Sequence, residues 1–158
     1  MTNNAKINWL SLTTWIILVE AMGLLSAQLS GDIKGLYNAL SLPPLSPSGV
    51  VFGIVWPVLY LFIGIVGYLL WSDRRNNLVN LSFFLGQLLL NFVWTIVFFN
   101  GSLFVIGLII IVAMDIMVAS LMYRLLPTEK IATWLLGPYL AWLLFATYLA
   151  GGVALLNH

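Results

Sequence analysis

The sequence predicts an all-α integral membrane protein: a bundle of five transmembrane helices with a long outside loop between helices 1 and 2. Of its 158 residues 62% are hydrophobic and 7% charged, too little polar surface for a water-soluble domain. The apolar residues fall in continuous runs such as LFVIGLIIIVAMDIMVASLMY, not in the alternating segments of about ten residues that a membrane barrel uses. Hydrocarbon offers the backbone no hydrogen-bond partner, so such runs must satisfy themselves as helices.

Five stretches reach the roughly 20 residues that cross about 30 Å of hydrocarbon: 9–29, 48–71, 78–99, 103–123 and 131–156, within one domain over 1–158. The first is preceded by MTNNAKINW, with no basic region and small-residue cleavage site, so it is expected to stay as an anchor. The connection 30–47, SGDIKGLYNALSLPPLSP, has room for one short helix near Ile33 to Leu40 before its prolines enforce extended backbone. Because the other connections are only a few residues, this one is expected to be a lid. The second span holds Trp56 and Pro57. In the third, Gln87, Asn91, Trp94 and Phe98 follow i, i+4, i+7, i+11 and share one face. Polar groups avoid lipid, so that face should look inward, serving a ligand or interhelical hydrogen bonds. The fourth span carries Asp115. In the fifth, Pro138, Trp142, Ala146 and Leu149 are expected to share a face.

Lys6, Arg74, Arg75, Arg124 and Lys130 fall on one side of the five spans and only Lys34 on the other. The positive-inside rule then puts the N-terminus inside and the C-terminus outside. At a rise of about 1.5 Å per residue, Trp56 and Asn91 each lie some 12 Å below the outer surface and Asp115 about 18 Å. Ser26 is shallower on the first span, and Trp142 lies near the middle of the fifth. These groups from five helices converge under the long loop, as the lining of a ligand cavity would. Trp9, Trp71 and Trp134 fit the interfacial belt. Trp56 and Trp142 are too deep for it, and each indole N–H is expected to find an acceptor. Pro57 and Pro138 remove helix donors and are expected to kink their helices and make room. Asp115 and Glu20 have no cation at their depth and are expected to be neutral or hydrogen-bonded. Small residues spaced four apart, as at Gly49 and Gly53, allow close helix approach within or between copies.

The stretches LPPLSPSGVVFGIVWPVLY, LLLNFVWTIVFF and GPYLAWLLFATYLA, together with Asp115, resemble the TspO/MBR family, which includes the tryptophan-rich sensory proteins and the translocator protein, formerly the peripheral-type benzodiazepine receptor. Their match is to a bacterial member. The resemblance implies a five-helix bundle, usually a homodimer, with a pocket closed by the loop between the first two helices. Implied ligands are porphyrins such as protoporphyrin IX and haem, and isoquinoline or benzodiazepine drugs. Carried over by motif, Trp56, Asn91, Trp94, Trp142 and Ala146 are ligand-binding candidates, with Ser26, Tyr37 and Asp115 added. The cholesterol-associated tyrosine and arginine of animal members are absent from ATYLAGGVALLNH.

The function expected is therefore a membrane tetrapyrrole-binding protein with a stress or sensory role. No cofactor is required, and porphyrin is ligand or substrate. The partners expected are flat hydrophobic ligands, membrane lipid and a second copy, with no nucleic acid. There is no cysteine and the sole histidine is His158, so thiolate chemistry and a buried histidine on haem iron are excluded. Conventional catalysis is not expected, but the resemblance implies light- and oxygen-dependent porphyrin degradation, with Trp56 and Trp142 as the catalytic candidates. A transporter of tetrapyrroles or amphiphiles, with Glu20 or Asp115 as coupling site, is the alternative, and a sensor acting through a protein partner is a third. A cell membrane is the simplest location.

Overall fold

The computed structural model describes residues 7–158; Lys6, counted above among the cations of one side, lies outside them. All regular structure in this range is helical: α1 (Trp9–Leu29), α2 (Ile33–Ala39), α3 (Gly49–Ser72), α4 (Leu78–Thr95) continued by a π-helical turn (Ile96–Asn100), α5 (Phe104–Leu125) and α6 (Lys130–Leu156). Five of these, counting α4 with its π turn, are long and apolar enough to span a bilayer. Each sequence span therefore exists as one helix, and α2 is the short helix expected in the long connection.

Around the bundle, α1 packs on α3, α3 on α6, α6 on α5 and α5 on α4, with a lighter contact from α4 back to α1. Three glycines permit the close α1–α3 approach. A Cβ added at Gly23 would strike the Tyr60 ring, at Gly64 the Ile16 backbone, and at Gly67 the Trp15 ring. The core runs through Ile63, Val66, Leu70, Phe84, Val118, Leu121, Leu136 and Tyr139. Leu, Ile and Val cover the outward faces, as helices facing acyl chains require.

The expectation that Pro138 shares the inward face of its helix is corrected. α3 continues through Pro57 and α6 through Pro138, and both rings lie on the exposed side. The inward face of α6 is Tyr139, Leu143, Ala146, Ala150 and Val153. This heptad-like series runs one residue out of step with Pro138 and Trp142, leaving Pro138 outside and Trp142 half-buried on the flank.

Candidate functional site

Gln87, Asn91, Trp94 and Phe98 do share a buried face, and the first two are joined across the bundle. Tyr60 of α3 donates its hydroxyl to Asn91 Oδ1 at 3.0 Å. Asn91 Nδ2 donates to the Tyr139 hydroxyl of α6 at 3.1 Å, and that hydroxyl donates to Gln87 Oε1 at 2.8 Å. One asparagine thus uses both ends of its amide to tie three helices, the interhelical use of such a group in lipid. The Trp56 ring stacks on Tyr60 with centroids 5.3 Å apart, so Trp56 is held by the same network.

Above this layer the π turn widens the end of α4. Gly101 N–H bonds back to Ile96 C=O at 2.9 Å, five residues rather than four, and so brings Phe98 and Phe99 together beside Trp94. Trp94 Nε1 donates to Gly107 C=O of α5 at 3.0 Å and its ring stacks on Phe98 at 5.0 Å. Under α2 and the chain that follows it, Tyr37, Leu42, Phe52, Trp94, Phe98 and Ala146 are among the residues enclosing a cavity of about 30 Å³. Its walls are aromatic and aliphatic. Tyr37 is anchored by donating its hydroxyl to Pro47 C=O at 2.8 Å. Burial pushes this phenol above its ordinary value, although a neighbouring Ser46 hydroxyl acts the other way, so it stays a donor at neutral pH.

Of the eight ligand-binding candidates, Tyr37, Trp94 and Ala146 line the cavity. Trp142 stands one ring behind, edge-on to Phe52 at 5.7 Å, and Phe52 in turn meets Tyr37 at 5.2 Å. Its indole N–H is buried with no acceptor, contrary to the expectation that each deep indole finds one. Ser26 is elsewhere: its hydroxyl donates to Phe92 C=O at 2.6 Å and clamps α1 to α4. Asp115 accepts from Thr147 at 2.7 Å between α5 and α6, as a hydrogen-bonded acid. Phe52 and Phe99 were missed in the sequence. Phe52 lies one turn before Trp56, and Phe99 faces inward only because of the π turn. A larger open cleft of about 240 Å³, lined by Ser102, Phe104, Ala154 and His158 among others, holds none of the candidates.

The TspO/MBR family model matches residues 15–156. The chain belongs to the TspO/MBR family. Its similarity extends to the tryptophan-rich protein TspO of Archaeoglobus fulgidus, 36% identical over 95% of this chain and 99% of that one. The human translocator protein is 32% identical over 77% of this chain and 75% of its own. The tryptophan-rich sensory protein of Cereibacter sphaeroides is 27% identical over 90% and 88%. As a TspO/MBR member with five apolar spans, the chain is a multi-pass membrane protein. No group of three or more His, Asp or Glu among the described residues could hold a metal.

Proposed function

We propose that this protein is a membrane receptor for flat hydrophobic tetrapyrroles, protoporphyrin IX being the probe, and that bound porphyrin is degraded in light and oxygen. The reading rests chiefly on the aromatic cavity under α2, with the buried, unpartnered Trp142 N–H beside it. Stacked rings suit a planar π-system, and an orphan indole donor suits a ligand acceptor such as a propionate or carbonyl oxygen. At about 30 Å³ the cavity holds roughly one water, far below the 300 Å³ or more of a ligand pocket. Binding therefore requires α2 and residues 41–47 to move outward.

The ligand supplies light absorption and oxygen is the oxidant, while Trp56 and Trp142 are the electron-rich side chains assigned to the chemistry. The test is an absorbance titration with protoporphyrin IX followed by illumination. Trp56→Phe and Trp142→Phe should weaken binding by about 1 kcal/mol or less, the scale of one neutral hydrogen bond. They should nearly abolish degradation per bound ligand, whereas Trp71→Phe in the belt should be silent. Unchanged rates per bound ligand in both deep variants would leave a binding protein only, and absence of saturable binding would remove the reading altogether.

A further inference from the structure

At the end of the bundle opposite α2, two of the arginines are held in different ways. Arg74, just past α3, folds back on its own helix end: Nη1 donates to the Trp71 C=O at 3.2 Å, and Cζ stands 4.7 Å from the centre of the Trp71 ring. A cation at the negative end of a helix dipole ordinarily serves in this way. Arg124 occupies the equivalent place in the last turn of α5 but turns sideways. Its Nε donates to Asn80 Oδ1 of α4 at 2.7 Å, and its Cζ stands 5.9 Å from the Phe83 ring. Asn80 is fixed in turn, because its Nδ2 donates to Asn77 Oδ1 at 2.8 Å. Asn77 Nδ2 donates to Asp73 Oδ2 at 3.2 Å and to the Asp73 C=O at 3.3 Å. A ladder of two amides thus joins a carboxylate to the Arg124 guanidinium.

The ladder orients Arg124 without neutralising it. Among the described residues the guanidinium is bonded through Nε, one of its five N–H groups, so the fork of Nη1 and Nη2 points away from the protein. The acids at this end are engaged elsewhere: Asp73 Oδ1 accepts from Asn76 at 2.7 Å and Oδ2 from Asn77, and Glu129 is half-buried. An anion arriving here meets a preset fork, whereas an ammonium group meets only engaged carboxylates and the cations of Arg75 and Lys130. Tyr123, next in the chain, is 82% exposed and Trp134 of α6 is 80% exposed, as rings at the headgroup level are. Toward the middle of the bilayer the same seam is apolar. Leu85 and Leu89 of α4 and Val112 and Ile116 of α5 face outward, and between the helices the Met117 methyl fills the space a Cβ at Gly86 would take.

We propose that the lipid-facing seam of α4 and α5 is a site for one anionic phospholipid, whose phosphate is bound by Arg124 as Asn80 orients it. The two terminal nitrogens match two phosphate oxygens in the forked geometry that only arginine offers, and the acyl chains lie along the leucines below. Basic pockets between membrane helices take acidic headgroups on these grounds. A zwitterionic lipid carries the same phosphate, but its ammonium adds a positive charge to an end already rich in them. A free phosphate ion offers the oxygens without the chains. The site lies at the other end of the bundle from the aromatic cavity and does not rest on the porphyrin reading.

The test is native mass spectrometry of the whole chain, equilibrated in neutral detergent with equal amounts of phosphatidylglycerol and phosphatidylcholine. In about 0.5 M ammonium acetate diffuse attraction is screened within a few Å, so what persists is the directed contact. One phosphatidylglycerol should be retained in preference to phosphatidylcholine. Arg124→Gln should lower that retention about tenfold or more, the scale of a charge-assisted pair of hydrogen bonds, and Arg124→Lys should recover only a minor part of it. Asn80→Leu leaves every charge in place and suits a lipid-facing helix, so it tests the site even if Arg124→Gln fails to fold. It should lower retention about threefold or more, through loss of the preset orientation alone, while Arg75→Gln should stay within about twofold, as screening leaves little of an undirected charge. Equal losses from Arg75→Gln and Arg124→Gln would reduce the effect to net charge and overturn the site, as would wild-type retention in Asn80→Leu. Ammonium phosphate in excess over the lipid should leave the lipid bound; displacement would make this a site for the free ion and overturn the lipid.

Discussion

Asn91 shows how a polar residue in a membrane span is used twice over. It accepts from Tyr60 and donates to Tyr139, so Asn91→Leu removes two interhelical bonds and strands the Tyr60 hydroxyl. Bonds of this kind average about 0.6 kcal/mol in lipid, so with the stranded group the loss should be about 1–2 kcal/mol. Unfolding in graded sodium dodecyl sulfate measures it. Tyr60→Phe combined with Asn91→Leu should cost less than the two singles added, since they share a bond; strict additivity would mean the network carries no coupling. That Gln87 and Asn91 face inward was legible from their four-residue spacing. Their partners were not, because Tyr60 and Tyr139 are 31 and 48 residues from Asn91 and no local pattern links such distances. Ser26 looked like a pocket residue for the same reason: a sequence gives depth on its own helix but not the carbonyl opposite.

Among the elements, residues 41–47 and the connections at the other end of the bundle respond to different changes. A Cβ at Gly152 would strike the Pro43 ring, so Gly152→Val should push residues 41–47 off α6 while the bundle stays folded. Hydrogen exchange at the Ser41 amide, which donates to Asn157 Oδ1, should quicken, with the core of α5 unchanged; equal exchange in both proteins would show that this contact does not hold residues 41–47 in place. At the opposite end, Glu129 lies between α5 and α6, and burial, with the nearby Asp73 carboxylate, pushes it above the usual carboxylate range. The folded protein then binds that proton more tightly than the unfolded chain. Stability should fall as pH rises from the ordinary value through the raised one. Glu129→Gln should flatten that slope in thermal melts from pH 4 to 7 and leave the acid limit alone, whereas an unaltered slope would assign it to other groups. The span limits were readable because hydropathy alone sets them. The π turn was not, since Val97 to Asn100 are residue types that also occur in the α-helix before it and Ile96 is as apolar as its neighbours.

At the scale of the whole molecule, Arg74, Arg75, Arg124 and Lys130 lie at one end of the bundle and Lys34 at the other. The expected orientation follows: the richer end should face the cytoplasm, and α2 with residues 41–47 should face away from it. Reporter fusions at the two termini should give a cytoplasmic signal at the N-terminus and the opposite at the C-terminus; the reverse result would put the cavity's covered end inside. Fold class was legible because a bilayer leaves few choices of architecture. The cavity was legible in part: Trp94 and Ala146 through facing, which is a periodic property, and Tyr37 only through the family resemblance. Its cover was not, because the course of residues 41–47 depends on Asn157, which accepts from the Ser41 N–H, and Tyr148, which donates to the Pro44 C=O, both more than a hundred residues downstream.

The π turn makes chain length, rather than side-chain identity, the guarded quantity at the end of α4. Each residue of an α-helix advances the next by about 100°, so deleting one residue from 96–100 would restore ordinary pitch and swing everything beyond it by about that angle. The amide of Asn100, which donates to the Leu29 C=O of α1 at 3.2 Å, would rotate off its neighbour, and Phe99 would turn from the cavity toward lipid. A conservative exchange of any of these five residues leaves the register intact. Variation here is therefore expected as substitution, with gaps excluded.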